Sequence, residues 1–195
     1  LITNTANLDS VVKVVNDWSP DFVHLHYDRY ASIMSAIDAP KKAITSHYPY
    51  IDYPNKAQKE GYSWIYEQFL DQQDSYIFGL SELNAKVFAE KGVDPERLVK
   101  WVYGIPEKKF RFTKTPSQPD SSICLGKIEP RKRQSFLQTA HANVDFVGPI
   151  ADKAFWADSD NYLGSWDRDQ VHNNLTRYAN LVLLSDGESA PQVVY

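Results

Sequence analysis

A basic segment in the second half of the chain has the residue types that bind phosphate. Residues 124–133 read as a short apolar strand that turns at Gly126 and continues through Lys127 and Lys132 into a helix. Residues 107–133 hold eight Lys or Arg and three Asp or Glu, in a chain of net charge −4. The free N–H groups and the dipole of a helix start favour an anion, and lysine adds full positive charge. The segment therefore favours a phosphate site, although a solvated charge run explains the composition equally well.

A histidine at a predicted strand end is the second candidate. Residues 42–47 read as a strand that ends at His47, where parallel α/β sheets present their ligand-binding groups. The alternative is a hydrogen-bonded structural histidine at the strand edge. His24 and His26 share one face of the preceding strand, but no third ligand lies at a supportive spacing. We therefore interpret these two rings as packing and cleft-facing groups, and we predict no metal site.

Alternating strands and helices position these candidates. The apolar patterns predict strands at 21–26, 42–47, 75–80, 98–102, 123–125, 144–147, 162–163 and 181–184. They predict helices at 8–18, 28–37, 56–71, 82–91, 131–140, 152–156 and 167–178, with a last helix beginning near Ala190. Ser81 and Gly92 have the residue types expected at the start and the end of one of these helices. This alternation indicates an α/β fold with parallel sheets built from βαβ units.

A change of composition divides the chain into two predicted domains. Residues 107–120 are rich in Lys, Thr, Pro, Ser and Gln and show no apolar period, which is typical of a linker. The sequence thus predicts an N-terminal domain at 1–106 and a C-terminal domain at 121–195. The first residue is Leu1 rather than Met, so we expect a fragment of a longer protein in which both domains are incomplete.

The composition excludes several classes of protein. Hydrophobic residues make up 43% and charged residues 24% of the chain, as in ordinary soluble proteins. The chain contains no apolar run long enough to predict a transmembrane helix. The single cysteine, Cys124, excludes an intrachain disulfide, fits a reducing compartment and is expected to be a buried, inert thiol. The acidic balance argues against a nucleic-acid partner.

Several short motifs, taken in order, resemble the retaining glycosyltransferases of family 4, which have the GT-B fold. The pattern Gly126-Lys127-x-x-Pro130-x-Lys132 resembles the basic turn of that family. The other similar segments lie at residues 20–26, 45–47, 81–82, 104, 144–148, 178–181 and 187–188. Each motif is weak alone, but their order and spacing make the resemblance fairly specific over nearly the whole chain.

The resemblance implies a fold and a role for each matching residue. It implies two Rossmann-like domains, the second of which binds a nucleotide-sugar donor. Lys127 and Lys132 would hold the donor diphosphate and stabilise the leaving nucleoside diphosphate. His47, from the opposite domain, would lie near the transferred sugar, and Glu188 would hydrogen-bond its hydroxyls. Further donor-binding positions would be Gly126, Gly148, Ser189 and Ala190.

The implied activity is transfer of a sugar, with retention of configuration, from a nucleotide-sugar donor to a saccharide or lipid-linked acceptor. Such a hexosyltransferase-type enzyme of polysaccharide biosynthesis would need neither a metal nor a cofactor beyond its nucleotide-sugar substrate. A cytoplasmic location is expected, with peripheral contact to the cytoplasmic face of a membrane as a further expectation. The alternatives are a non-catalytic sugar-nucleotide or glycan-binding module and a sugar-nucleotide epimerase on the same fold. Arg131 and Arg133 are assigned to the solvated face of the helix.

Overall fold

The computed structural model describes residues 8–101, 104 and 115–188. The chain divides into two compact units. The first contains the described residues up to Trp101 together with Glu188, and the second contains Gly104 and residues 115–187. The predicted domains at 1–106 and 121–195, with their linker at 107–120, depend largely on residues outside this description and stay predictions. Each unit contains a parallel sheet flanked by helices, as the sequence predicts.

Four parallel strands form the sheet of the first unit. Their order is β1-β2-β3-β4, with bounds Phe22–His26, Lys41–Thr45, Ser75–Gly79 and Leu98–Lys100. The α-helices are α1 (Leu8–Trp18), α2 (Pro54–Lys59), α3 (Trp64–Asp71) and α4 (Glu82–Glu90), with 3₁₀ helices at Asp28–Ala36 and Pro95–Arg97. In the ladder between β1 and β2, His26 pairs with Thr45, so both strands end at the same edge of the sheet.

The core of the first unit lies between this sheet and its helices. Phe69 of α3 and Phe88 of α4 are fully buried, with ring centroids 4.9 Å apart. They pack with Ile44 and Ile77 of the central strands. Central parallel strands are covered on both faces, and accordingly the last four residues of β2 are all buried instead of every second one.

Three parallel strands form the sheet of the second unit, in the order β6-β5-β7. Their bounds are Val144–Val147 for β6, Gln118–Leu125 for β5 and Tyr178–Leu181 for β7. The helices are α5 (Gln134–Thr139) and α6 (Arg168–Asn174), with 3₁₀ helices at Pro130–Lys132 and Leu175–Arg177. Strand β5 begins at Gln118, within the last residues of the predicted linker. Among the described residues, no helix combines the length and the apolar character needed to cross a membrane.

The helix predicted at 56–71 is broken in two. Gly61 has a φ of +75°, which ends α2 because a left-handed residue cannot continue the helix. The Tyr62 N–H then donates to the Ala57 carbonyl at 2.8 Å, and α3 begins only at Trp64. The break turns the chain between the two helices and places aromatic residues at their junction.

Four other predicted elements differ in the second unit. The strand at 162–163 is reduced to an isolated bridge between Tyr162 and Phe146. The helix at 131–140 starts as a 3₁₀ turn and is interrupted by Arg133, whose φ is +55°. The prediction of a helix at 152–156 is wrong, because this segment forms a turn. The Asp152 side chain stabilises the turn by accepting hydrogen bonds from the Ala154 N–H and the Ser135 hydroxyl. The sequence predicts the last strand at 181–184, but the strand forms at Tyr178–Leu181, where the residues pair with β5.

We predict that Ser81→Ala lowers the free energy of unfolding by about 1 kcal/mol, because the Ser81 hydroxyl accepts the Asn84 N–H at 3.0 Å and caps α4. Urea denaturation measures this loss. The matched control is Ser63→Ala, since Ser63 precedes α3 without a capping bond, and its expected loss is below about 0.5 kcal/mol. Equal losses in the two variants would contradict the assignment.

Candidate functional site

A basic loop follows β5 in the second unit, and we use this name for residues 126–133. Gly126 turns the chain with a φ of +137°. Lys127 is exposed, whereas Lys132 is half-buried and folds back towards the turn, since a Cβ on Gly126 would lie 3.0 Å from the Lys132 Nζ. Burial raises the pKa of Cys124, at the end of β5, to about 11, opposed in part by the charge of Lys132. Both predicted phosphate-binding lysines therefore lie in one loop at the carboxyl end of β5.

Two of the predicted donor-binding glycines touch each other. The Gly126 N–H donates to the Val147 carbonyl at 2.8 Å, which joins the ends of β5 and β6. Gly148 follows with a φ of +142°, and a Cβ there would lie 2.1 Å from the Gly126 carbonyl oxygen. No side chain fits at that distance, so the sequence needs glycine at position 148 for the basic loop to begin where it does.

A buried amide fixes the shape of the basic loop. Gln134 is 1% exposed, and its Nε2 donates to the Lys127 carbonyl at 3.0 Å. Its Oε1 accepts the Glu129 N–H at 3.3 Å. Between these contacts Ile128 is fully buried and pairs with Ile150 in an isolated bridge. The backbone that carries Lys127 is thus held from both sides.

The sequence places both arginines of the basic loop on a solvated helix face, but only Arg133 is exposed, and both make specific contacts. Arg131 donates to the Gly187 carbonyl and, at 2.6 Å, to a Glu129 carboxylate oxygen. Arg133 forms an ion pair with Asp186. The Asp186 N–H in turn donates to the Arg131 carbonyl at 2.9 Å. Both guanidinium groups therefore fasten residues 186–187 to the basic loop.

Glu129 links a lysine and an arginine within the loop. Its carboxylate lies 3.5 Å from the Lys127 Nζ and 2.6 Å from Arg131. Partial burial opposes ionisation, but these two cations outweigh it and lower the pKa of Glu129. The Lys127 side chain remains 58% exposed, and an exposed ion pair of this kind is weak. An incoming anion can therefore compete with Glu129 for the Lys127 ammonium.

The predicted sugar-binding residues near the C-terminus are only partly described. Glu188 is half-buried and directly follows Gly187, whose carbonyl Arg131 holds. By its contacts Glu188 groups with the first unit. Ser189 and Ala190 lie outside the described residues, and their predicted role in donor binding stays a prediction.

The predicted strand-end histidine, His47, belongs to a polar cluster in the first unit. Its Nε2 lies 3.0 Å from the His26 Nδ1, and its backbone N–H donates to the Asp28 carboxylate at 3.3 Å. Burial, followed by the nearby His26, lowers the pKa of His47. Burial also raises the pKa of Asp28, opposed by hydrogen bonds from Ser46 and the backbone. A neutral imidazole results, which can donate or accept a hydrogen bond.

His24 is part of the same face of the sheet, as predicted. Its Nε2 lies 2.7 Å from the Thr45 hydroxyl, and its ring packs against Phe78 and Trp101 at centroid distances of 4.8 and 5.4 Å. Burial, with the neighbouring His26 and His47, lowers its pKa from 6.5 to about 4. In the described part of the chain, no cluster of three or more His, Cys, Asp or Glu could hold a metal ion.

The structure thus brings Gly126, Lys127, Lys132 and Gly148 together in the second unit, and it places His47 with His26 in the first. Sequence reasoning missed Gln134 and Asp186, which shape the basic loop and hold it to residues 186–187. A buried glutamine inside a predicted helix is a weak signal in a single sequence. Asp186 could not be linked to Arg133 without knowing how β7 leads back to the loop.

Comparison with known proteins establishes the fold. No family model and no curated protein matches the sequence. Among solved structures, HepE (Alr3699) of Anabaena, in complex with UDP and glucose, has a TM-score of 0.71 at 11% identity, covering 96% of this chain and 58% of that one. The apo form of WaaB, a lipopolysaccharide outer core galactosyltransferase, has a TM-score of 0.61 at 10% identity, covering 96% and 56%. TarM has a TM-score of 0.63 at 14% identity, covering 93% and 40%.

These structural neighbours confirm the predicted fold class, an α/β architecture with Rossmann-like domains of the GT-B type. The chain spans between 40% and 58% of the length of the three structures. At 10–14% identity the likeness concerns the fold, and the assignment of chemistry depends on the residues of the site.

We predict that Gly148→Ala destabilises the second unit more than Gly164→Ala, by about 1–3 kcal/mol. Both glycines have positive φ, but a Cβ at Gly164 meets nothing within 4 Å, whereas at Gly148 it collides with the backbone of Gly126. The difference in the free energy of unfolding, from urea denaturation, measures the collision together with the greater backbone strain of alanine at a φ of +142° than at +76°. Equal losses of unfolding free energy in the two variants would contradict the prediction, because they would show that the ends of β5 and β6 move apart without cost.

We predict that the ring of His24 titrates near pH 4 in an NMR titration. Its pKa is lower in the folded chain than in the unfolded one, so the unfolded state binds more protons between pH 4 and 6.5. The free energy of unfolding should therefore fall as the pH is lowered through that window, and His24→Gln should flatten this fall. A ring that titrates at pH 6 or above would contradict the prediction.

Proposed function

We propose that this chain is part of a glycosyltransferase that transfers a sugar from a nucleotide-sugar donor, with retention of configuration, to a saccharide or lipid-linked acceptor. The observation that carries the proposal is the basic loop, in which Lys127 and Lys132 lie at the carboxyl end of the central strand β5. In open α/β sheets, ligands bind at that edge. A diphosphate is the part of a nucleotide sugar that needs such charge.

The engagement of the arginines supports a diphosphate role for the lysines. Arg131 and Arg133 are held by Glu129, Gly187 and Asp186. Lys127 is exposed and its pairing with Glu129 is weak, so its ammonium can turn to a phosphate oxygen. Lys132 folds back towards Gly126, and a Cβ at that position would lie 3.0 Å from its Nζ, so glycine leaves room for the ammonium beside the turn.

In the proposed reaction, the bond between the anomeric carbon and the diphosphate oxygen breaks, and the electron pair leaves with the nucleoside diphosphate. An acceptor hydroxyl oxygen forms the new bond to the anomeric carbon and loses its proton to the leaving phosphate. Lys127 and Lys132 stabilise the negative charge that develops on that phosphate. We propose that this charge makes a metal unnecessary.

We propose that His47 and Glu188 each contact the transferred sugar. The lowered pKa of His47 keeps its imidazole neutral near pH 7, so it can hydrogen-bond a sugar hydroxyl. Glu188 would accept hydrogen bonds from hydroxyls of the donor sugar, and Arg131, which holds Gly187, positions it. The HepE structures, which contain UDP with glucose or UDP-glucose, support the choice of a uridine nucleotide as the first donor to test.

We predict that Lys127→Ala and Lys132→Ala each weaken the binding of UDP-glucose to the intact protein by roughly 10-fold or more, because each removes a charge-assisted contact of about 1.5–3 kcal/mol. Isothermal titration calorimetry measures the dissociation constants. Lys153→Ala is the matched control, since Lys153 is an exposed lysine of the same unit outside the basic loop.

A panel of nucleotide sugars extends this test to other bases and sugars. Unchanged binding in both loop variants would overturn the proposal. Tight donor binding without transfer or hydrolysis would instead indicate a non-catalytic module, and a changed sugar in the absence of an acceptor would indicate an epimerase.

A further inference from the structure

An aromatic pocket of about 470 Å³ lies in the first unit, next to His47. Three segments line it: the residues after β1, the residues after β2 and the junction of α2 with α3. The pocket's aromatic and imidazole side chains are Tyr27, Tyr30, His47, Tyr48, Tyr62 and Trp64. A concave site of this size with convergent polar groups is typical of small-molecule binding.

The rings form a connected wall. Tyr48 and Tyr62 are stacked, with centroids 4.7 Å apart at an interplanar angle of 22°, and Trp64 continues the row at 6.0 Å from Tyr62. Tyr27 lies 5.1 Å from His47. Tyr62 is 37% exposed and Tyr27 is 60% exposed. Large rings held partly in solvent offer flat apolar faces with polar edges.

The backbone at the pocket is strained where it carries one of these rings. Tyr27 has a φ of +83°, which a residue with a side chain rarely adopts. Such strain costs on the order of 1–3 kcal/mol and clusters at ligand sites. The Tyr27 N–H donates to the Thr45 carbonyl at 3.3 Å, and this bond ties the strained residue to β2.

Two buried polar atoms in the wall have no hydrogen-bond partner among the described residues. These are the Tyr48 hydroxyl and the Asp28 Oδ1, and both residues line the pocket. An unsatisfied buried polar atom is costly. Both atoms are closed off from solvent, so a ligand reaches them only when these side chains turn towards the pocket, and a ligand rich in hydroxyl groups would then give them partners.

The charge of the described lining residues favours a neutral ligand over an anionic one. Among these described residues there is neither Lys nor Arg. Burial disfavours the charged forms of both titratable groups there, since it lowers the pKa of His47 and raises that of Asp28. A lipid diphosphate would therefore find no cation among the described lining residues, whereas a neutral sugar presents C–H groups to the rings and hydroxyls to the polar atoms.

We propose that the aromatic pocket binds a pyranose unit of a neutral glycan acceptor. This rests on the proposed function, and it selects a saccharide over a lipid-linked diphosphate as the group that receives the sugar. Because His47 lines the pocket, the bound unit would lie beside the side chain proposed to contact the transferred sugar.

The first test is direct binding to the intact protein without donor. Neutral trisaccharides of glucose, galactose and N-acetylglucosamine are the probes, with farnesyl diphosphate as the lipid diphosphate, measured by calorimetry and saturation-transfer NMR. We expect at least one glycan to bind and Tyr62→Ala to weaken it roughly tenfold. Tyr62→Phe, which keeps the ring, should stay within about threefold. Tyr76→Ala, at an exposed tyrosine outside the pocket, should change nothing.

The second test separates this proposal from the proposed function. With donor held constant, Tyr62→Ala should raise the KM for the glycan and leave the KM for the donor unchanged. Trp64→Leu repeats the test should Tyr62→Ala fail to fold. Binding of farnesyl diphosphate in place of glycans, or unchanged glycan binding in both variants, overturns the pocket assignment while donor binding stands. Glycan binding without transfer, in a protein that binds donor, overturns the acceptor role.

Discussion

The basic loop depends on one buried side chain, the amide of Gln134. A flexible loop with four cations would repel itself and lose its shape, yet this one is held by hydrogen bonds on both sides of Ile128. Burying an amide is favourable only when both of its ends are paired, and here the backbone at Lys127 and Glu129 supplies the partners. The position of Lys127 is therefore set by the start of α5 and does not depend on the lysine itself.

The cations of the basic loop have two roles: the arginines stabilise its structure, and the lysines are proposed to bind the ligand. The arginines have planar, multidentate head groups that suit fixed carboxylate and carbonyl partners, and they hold residues 186–187. The lysines, with a compact ammonium on a long flexible side chain, suit a ligand that binds reversibly. This division explains why a segment that reads as one basic run in the sequence contains two kinds of cation.

The sequence predicted the strands and the residues at their ends well, because strand patterns in a parallel sheet and helix caps are local signals. Strand β6 has the predicted bounds, and Ser81 caps α4 as predicted. The failures come from long-range effects. The turn at Asp152 depends on Ser135, the start of β7 at Tyr178 depends on β5, and the contacts of Arg131 and Arg133 depend on a segment more than 50 residues away. The aromatic pocket could not be predicted, since it needs the break at Gly61 that brings Tyr62 against Tyr48.

Cys124 can serve as a chemical probe of the local opening of β5 in the second unit. It is the single cysteine of the chain, it lies directly before the turn of the basic loop, and its raised pKa keeps the thiol protonated. Only a thiolate reacts quickly with alkylating reagents, so we expect iodoacetamide to modify this residue when the strand opens locally. Where opening and closing are fast compared with alkylation, the labelling rate then follows the population of the open form of β5.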